Sequence, residues 1–435
     1  MKFSLLNFPR RIRGLTVRKV LTQSKSRLKK SRSLAWSNPA GGGATVGRVL
    51  VVNQYALPRS QGGMTRHVDI LSRLSGWSHK IIAGDRNYTS QEKIHEKVDG
   101  FVFLRVPPQE GSALARFVGW SLMSLQSLPV GLVGPRPDVI LASSPHLFAL
   151  HAALLIARLR RVPIVMEVRD LWPESFVAAG FIERGSRVHR IFEFIEKSAL
   201  RRADWVVGVA QGWEPHMRRV GVDMDRYSVV PNGADVSDLA CHEDRESVRA
   251  EFGLAGPVAI YAGAHGAKDG IGLILDAAKE LVDVTFLIVG DGRAKAELVA
   301  RAHAERLSNV RFFDPVPKAE LPRLYLASDV GVHSCAPLDV YDVGMSPNKI
   351  YDYLAAGLPV VSNGGESAAR VFGGVDCGVV CGPYELASAI RAVVGAPTSQ
   401  KTVWKTNSVG LASSTYSRTA AADSYLNVFR SVMRR

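Results

Sequence analysis

Short apolar runs alternate with amphipathic stretches along nearly the whole chain from Val46 onward. Arg48-Val49-Leu50-Val51-Val52-Asn53 reads as a buried strand. Gly62-Gly63 then opens a helix whose Met64, Val68, Leu71 and Leu74 fall at helical spacing. Further strands are predicted at 80–83, 101–104, 138–141, 164–167 and 205–208, with helices at 146–161 and 188–202 between the later ones. The pattern restarts after Pro231-Asn232-Gly233. Strands are predicted at 259–263, 286–290, 310–313, 329–333 and 359–362, with helices at 274–281 and 384–394. Such alternation implies parallel, doubly wound sheets. The turn-rich, charged stretch 230–256 separates two α/β domains, 46–230 and 231–415. A C-terminal helix, 416–435, is expected to pack back on the first. Two such domains place a crevice between the carboxyl ends of their strands, the expected ligand site.

The stretch Ser346 to Gly364 carries the most specific local signal. Ser346 can cap a helix whose first position is Pro347, and Gly357 can end it in a left-handed conformation before Pro359. Lys349, Asp352 and Tyr353 are spaced to share one helical face. A helix N-terminus beside a lysine attracts phosphate, and a carboxylate one turn further in can accept from a ribose diol. The alternative is an ordinary αβ unit with solvated charges.

Composition adds three points. Apolar residues make up 46% of 435, enough for large cores. The net charge of +15 is largely local, because no acidic residue precedes Asp69 while eleven lysines and arginines lie between Lys2 and Arg32. Residues 1–45 therefore read as a disordered basic arm, able to meet an anionic membrane surface or, equally, inert. No apolar h-region follows these charges, and no apolar run is long enough to span a bilayer. The segment 117–133 is apolar but short. It is either an interfacial helix with Trp120 at headgroup depth or a core helix. The four cysteines complete no zinc pattern and read as reduced.

Several motifs now occur in order: Gly62-Gly63-Met64-Thr65-Arg66-His67 after the first strand; Glu167-Val168-Arg169-Asp170-Leu171-Trp172-Pro173-Glu174; Val230-Pro231-Asn232-Gly233; Tyr261-Ala262-Gly263 with Gly266 and Lys268; Val289-Gly290-Asp291-Gly292; and Ser346-Pro347-Asn348-Lys349. From about Arg48 to Arg430 the chain resembles the retaining glycosyltransferases of family 4. It is most similar to their bacterial polysaccharide and O-antigen branch, which includes N-acetyl-fucosaminyl transferases. The resemblance implies the GT-B fold, two Rossmann-like domains facing across a crevice. It also implies transfer of a sugar from a nucleotide-sugar donor, UDP-linked, to a lipid-linked saccharide acceptor at the cytoplasmic face of the membrane. Neither metal nor cofactor is implied. By the same resemblance Lys268 and Lys349 neutralise the leaving diphosphate and Asp352 holds the ribose. Gly62, Gly63, Gly263, Gly266, Gly290, Asn232, Ser346, Pro347 and Asn348 bring backbone close to substrate. Glu167, Arg169 and Asp170 sit at the carboxyl end of a predicted strand and face the crevice, where Arg169 can pair with phosphate and Asp170 can orient a sugar hydroxyl or the acceptor.

The chain departs from the family pattern at three places. Gly344 stands where many members have a glutamate eight positions before the residue matching Asp352, with Asp339 or Asp342 as substitutes. Ala264 follows Gly263 where an arginine is common. Arg169 occupies the place of a first-domain histidine. These departures keep two other readings open, a UDP-sugar 2-epimerase and a non-catalytic binding protein of the same architecture. Specific nucleic-acid binding rests on the arm alone and finds no reader motif in the folded part.

Overall fold

In a computed structural model, residues 36–434 are described apart from 89, 109–112, 145, 179, 318–319 and 338–343. The basic residues of the arm up to Arg32, and both Asp339 and Asp342, lie outside the described residues.

Seven strands form the first sheet: β1 (Gly47–Val52), β2 (Trp77–Gly84), β3 (Phe101–Leu104), β4 (Val139–Ser143), β5 (Ile164–Val168), β6 (Trp205–Gly208) and β7 (Tyr227–Val229). Their order is β3-β2-β1-β4-β5-β6-β7, and every pairing is parallel. The second sheet comprises β8 (Val258–Ala262), β9 (Thr285–Val289), β10 (Val310–Phe313), β11 (Val330–His333), β12 (Val360–Ser362) and β13 (Gly378–Val380). Its order is β10-β9-β8-β11-β12-β13, again wholly parallel. Both sheets are doubly wound, as the alternation predicts. Each strand order reverses beside the first strand of its sheet, at β1/β4 and β8/β11. Crossover helices there leave toward opposite faces and open a crevice at the strand ends.

Strand periodicity builds the layers. Leu50 and Val52 of β1 face one core with Trp120, Leu150 and Leu200, whereas Val49 and Val51 face another with Ile70, Leu71 and Phe429. The helix Arg418–Met433 supplies Tyr425, Val428, Phe429 and Val432 to that second core, so the end of the chain lies on the first sheet. The linker and this return crossing touch. The Ala234 amide donates to the Tyr416 carbonyl at 3.0 Å, and a Cβ on Gly233 would lie 2.0 Å from that oxygen.

Expectations at the helix after Gly62-Gly63 and at the Ser346 cap need correction, while at 117–133 the structure decides between two readings. The helix after Gly62-Gly63 is only Arg66–Leu71, with Met64 ahead of it and Leu74 beyond. Its periodicity was carried past both ends by residues that pack from turns. The segment 117–133 is the greater part of the helix Ala113–Leu132. Trp120 is not at its surface: the ring is buried, its indole donates to the Tyr55 hydroxyl at 2.8 Å, and it stacks on His146 at 5.5 Å. The correction to the cap at Ser346 belongs to the site.

Candidate active site

Gly263 follows the end of β8, and its amide donates to the Val289 carbonyl at 3.0 Å. Gly290 follows the end of β9, at φ 137°. A Cβ there would lie 1.9 Å from the Gly263 carbonyl oxygen. The two turns therefore touch through backbone, which only glycine permits at this position.

Lys349 reaches over this pair from the first turn of the helix Asn348–Ala355. Its Nζ donates to the Tyr261 hydroxyl at 2.8 Å, lies 3.2 Å from Asp269 Oδ1, and sits 4.3 Å from the Tyr261 ring centre. A side chain on Gly263 would collide with it, since a Cβ would be 2.9 Å from Lys349 Cε. Burial lowers the Lys349 pKa, Asp269 opposes this, and neighbouring Lys268 lowers it further. Asp269 is itself fixed by the Gly266 amide, 3.1 Å away. Lys268 is exposed at the rim, on the single turn Ala267–Asp269. Ala264, in the arginine position of the family, is exposed, and its carbonyl accepts the Tyr261 hydroxyl at 2.7 Å.

The helix begins differently from the sequence reading. Pro347 occupies the N-cap position, with φ −78° and ψ 123°, and no side chain caps the first turn. The Ser346 hydroxyl instead accepts the Asn232 amide at 2.9 Å and meets the Tyr351 hydroxyl at 3.0 Å. Capping is lost because the residue before this proline is drawn toward the inter-domain linker. The Ile350 amide reaches the Pro347 carbonyl at 3.2 Å, while those of Asn348 and Lys349 find no backbone acceptor among the described residues. At the other end, Gly357 has φ 72°, as expected, and the Leu358 amide reaches the Tyr353 carbonyl at 2.9 Å. Tyr353 is fully buried; its hydroxyl accepts the Ala262 amide at 3.0 Å. Asp352 is half-buried beside Tyr325, whose phenol pKa is pushed well up by burial and then by that carboxylate.

In the first domain, Gly62 and Gly63 have φ 63° and 73° and carry the turn before Arg66. Arg66 is the centre of a buried network that the sequence reading missed. Its Nε donates to Glu167 Oε1 at 2.7 Å, and its terminal nitrogens reach the carbonyls of Val230 and Pro231, each at 2.7 Å. It also donates to Asn232 Oδ1 at 3.2 Å. Glu167 further accepts from Ser143 and Tyr425, both at 2.6 Å, and lies 2.9 Å from His67 Nε2. Burial pushes the Glu167 carboxyl up, but His67 and Arg66 outweigh it and hold it well below the carboxylate range. Burial holds His67 down despite Glu167. The expectation that Glu167 faces the crevice is thereby corrected: its carboxylate is fully buried, taken up by Arg66, His67, Ser143 and Tyr425. Through Asn232, whose side chain also donates to the Ser346 carbonyl at 2.9 Å, this network joins the start of the Asn348–Ala355 helix.

Arg169 is half-buried over the Gly62–Met64 turn, its amide donating to the Ser144 hydroxyl at 2.8 Å. Asp170 is exposed and forms no ion pair among the described residues. The structure thus gathers Gly263, Gly266, Lys268, Gly290 and Lys349 in one cluster. Asn232, Ser346 and Pro347 lie at the junction, and Gly62, Gly63 and Arg169 on the opposite side. Nearby, Gln54, Tyr55, Arg86 and Tyr88 line a small hollow at the ends of β1 and β2. The Gln54 amide is buried there without a partner among the described residues.

Residues 62–233 match the glycosyl transferase 4-like domain, and residues 256–395 match glycosyl transferases group 1. WcaI of Escherichia coli K12, named for colanic acid biosynthesis, is 25% identical over 265 residues, covering 58% of this chain and 63% of WcaI. The 2-deoxystreptamine glucosyltransferase of Streptomyces kanamyceticus is 27% identical over 262 residues, 57% of this chain and 65% of that one. The alignments thus span less than two thirds of each relative. The crystal structure of Anabaena HepE in complex with UDP-glucose superposes with a TM-score of 0.66 at 18% identity, over 88% of this chain and all of HepE. The chain belongs to the glycosyltransferases of GT-B architecture, with a 4-like first domain and a group 1 second domain.

Proposed function

We propose that the protein is a retaining glycosyltransferase of family 4. It moves a sugar from a UDP-linked donor to a lipid-linked saccharide in bacterial cell-surface polysaccharide biosynthesis. The observation that carries this reading is Lys349, a cation held by Asp269 and Tyr261 over two abutting glycine turns, with Lys268 beside it. A diphosphate placed there meets two ammonium groups and the free amides of an uncapped helix. As the bond from the sugar C1 to the diphosphate oxygen breaks, that oxygen gains charge, which the lysines stabilise. The acceptor hydroxyl bonds to C1 from the same face, and its proton passes to the departing phosphate oxygen. Asp352, one turn into the helix, holds the ribose hydroxyls. HepE's complex with UDP-glucose and WcaI's name support donor and pathway class respectively.

A thermal-shift screen of nucleoside diphosphates and their sugars tests the donor. A ligand at about 100-fold its Kd should add roughly 2.7 kcal/mol. Stabilisation by UDP and a UDP-sugar, with release of UDP only when a saccharide acceptor is added, is the expected result. Interconversion of the UDP-sugar without an acceptor would instead establish the epimerase reading. Absence of any nucleotide response would remove the transferase.

A further inference from the structure

The ammonium of Lys349 carries three N–H groups. One donates to the Tyr261 hydroxyl at 2.8 Å and one to Asp269 Oδ1 at 3.2 Å, which leaves one for a ligand oxygen. The Tyr261 hydroxyl is itself committed, since it donates to the Ala264 carbonyl at 2.7 Å. Asp269 is equally fixed. Its Oδ2 accepts the Gly266 amide at 3.1 Å, and its own amide returns to the Gly266 carbonyl at 3.1 Å. The turn that carries it is seated on the chain leaving β11. The Ala336 amide donates to the Lys268 carbonyl at 2.9 Å, and the Ser334 hydroxyl to the Gly270 carbonyl at 2.8 Å. A Cβ on Gly270 would lie 2.6 Å from the Cys335 carbonyl carbon, so this seat is closed to any side chain. The Asp269 carboxylate cannot leave Lys349 without breaking the bond that shapes its own turn.

A carboxylate is an unexpected neighbour for a diphosphate, which it repels. Its use follows from the cation it serves. Where an arginine is common after Gly263, this chain has Ala264, and the innermost cation is a lysine. An arginine keeps its charge on burial, whereas a buried lysine sheds its proton readily. The Lys349 side chain is only 12% exposed. Burial lowers its pKa most. Asp269 opposes this through its charge and its hydrogen bond, Lys268 lowers it further, and the nearby Cys335 raises it. His333 of β11 adds no charge, being held down to about 3 by burial and then by Lys349. Among the described residues, Asp269 is the one carboxylate that pairs with this ammonium.

We propose that Asp269 is a positioning residue of the donor site: it holds the Lys349 ammonium charged and in place, with one N–H left for the diphosphate. The inference rests on the proposed function, which takes Lys349 as a diphosphate cation. The carboxylate weakens the pull on the ligand, but it keeps the cation where charge develops on the leaving oxygen.

The test is calorimetric titration of UDP into the full-length chain from about pH 6 to about pH 10. Wild type should bind UDP until Lys349 loses its proton at high pH. Asp269→Asn keeps an oxygen for the Gly266 amide but removes the charge, so its loss of affinity should begin at lower pH. At the upper end it should bind about tenfold or more weakly than wild type. At the lower end it should bind at least as tightly, one repelling carboxylate being gone. Asp269→Glu should follow wild type. The titration of UDP itself is common to all three proteins, so their differences report on Lys349. A second readout needs no nucleotide. The Lys349 Cε resonance, in protein carrying carbon-13-labelled lysine and assigned by its absence from Lys349→Arg, should titrate at lower pH in Asp269→Asn. Two results overturn the proposal alone. An unmoved resonance would show that Lys349 stays charged without Asp269. Parallel affinity profiles, weaker by the same factor at every pH, would make Asp269 a structural residue of its turn. No UDP binding by wild type overturns the proposed function as well, which separates the two failures.

Discussion

The indole nitrogen of Trp213 donates to the carbonyl oxygen of Gly344 at 3.2 Å. The loop after β6 in one domain thus touches the segment leading into the Asn348–Ala355 helix of the other. Gly344 has φ 146°, and a Cβ there would lie 2.2 Å from the Gln211 carbonyl oxygen. Where many relatives place a glutamate, this chain has a residue that lets the two domains meet through backbone. Gly344→Ala should force that contact apart while leaving both sheets folded. Displacing the donor helix by about 1 Å can cost about 100-fold in turnover. Unchanged kcat/KM, with unchanged circular dichroism, would show that the contact does not position the site.

Lys268→Ala should lower kcat strongly without affecting the melting temperature, because the side chain is exposed. Losing one donor to a developing oxyanion costs on the order of 2.7–4 kcal/mol in the barrier. Lys349→Ala should lower kcat comparably, and stability as well, since it leaves the Asp269 carboxylate without its ammonium partner. Steady-state kinetics beside thermal melts separate the two effects. Near-normal kcat in both variants would exclude these lysines from the reaction.

Asp352→Asn should weaken UDP binding more than it slows chemistry at saturating donor. A ribose contact is equal in ground and transition states. Calorimetry with free UDP reads it directly. Unchanged affinity would place the carboxylate's role in packing beside Tyr325.

Glu167→Gln should be strongly destabilising, by about 3–5 kcal/mol, because the buried Arg66 guanidinium loses its counter-charge. The penalty should depend on pH. Glu167 is held ionised in the folded chain well below its ordinary value of 4.5. As pH falls, the unfolded chain binds this proton first. The stabilisation is therefore present above about pH 4.5 and is lost as pH falls through the folded value. Denaturant midpoints of wild type and variant should converge in that acid window. A constant difference down to pH 3 would contradict the assignment.

Much of this architecture was legible because fully buried parallel strands read as continuous apolar runs. β3, β6 and β10 fall at the predicted residues. β7 and β13 escaped because three residues at a sheet edge carry too little pattern. The helix Thr398–Ser414 escaped for a different reason. It is polar, and its few buried residues, such as Trp404 and Ala412, pack on a structure that sequence periodicity does not reveal. Within the site, glycines and lysines announced themselves through turn and phosphate chemistry. The roles of Tyr261, Asp269 and Trp213 did not, since Lys349 and Gly344, which they meet across the site, are 80 or more residues away in the chain. Ser346 misled because a serine before a proline looks the same whether it caps the helix or anchors a linker.

The double crossing at Gly233 and Tyr416 has a mechanical consequence. The chain passes between the domains twice, and the two passages are bonded to each other. Bodies joined at one place can pivot there but cannot slide past one another. Any opening of the crevice would then be a swing about that junction. Arg66 grips the linker carbonyls of Val230 and Pro231, close in the chain to that junction. The Trp213 bond to Gly344 also joins the two domains, so such a swing would have to break it.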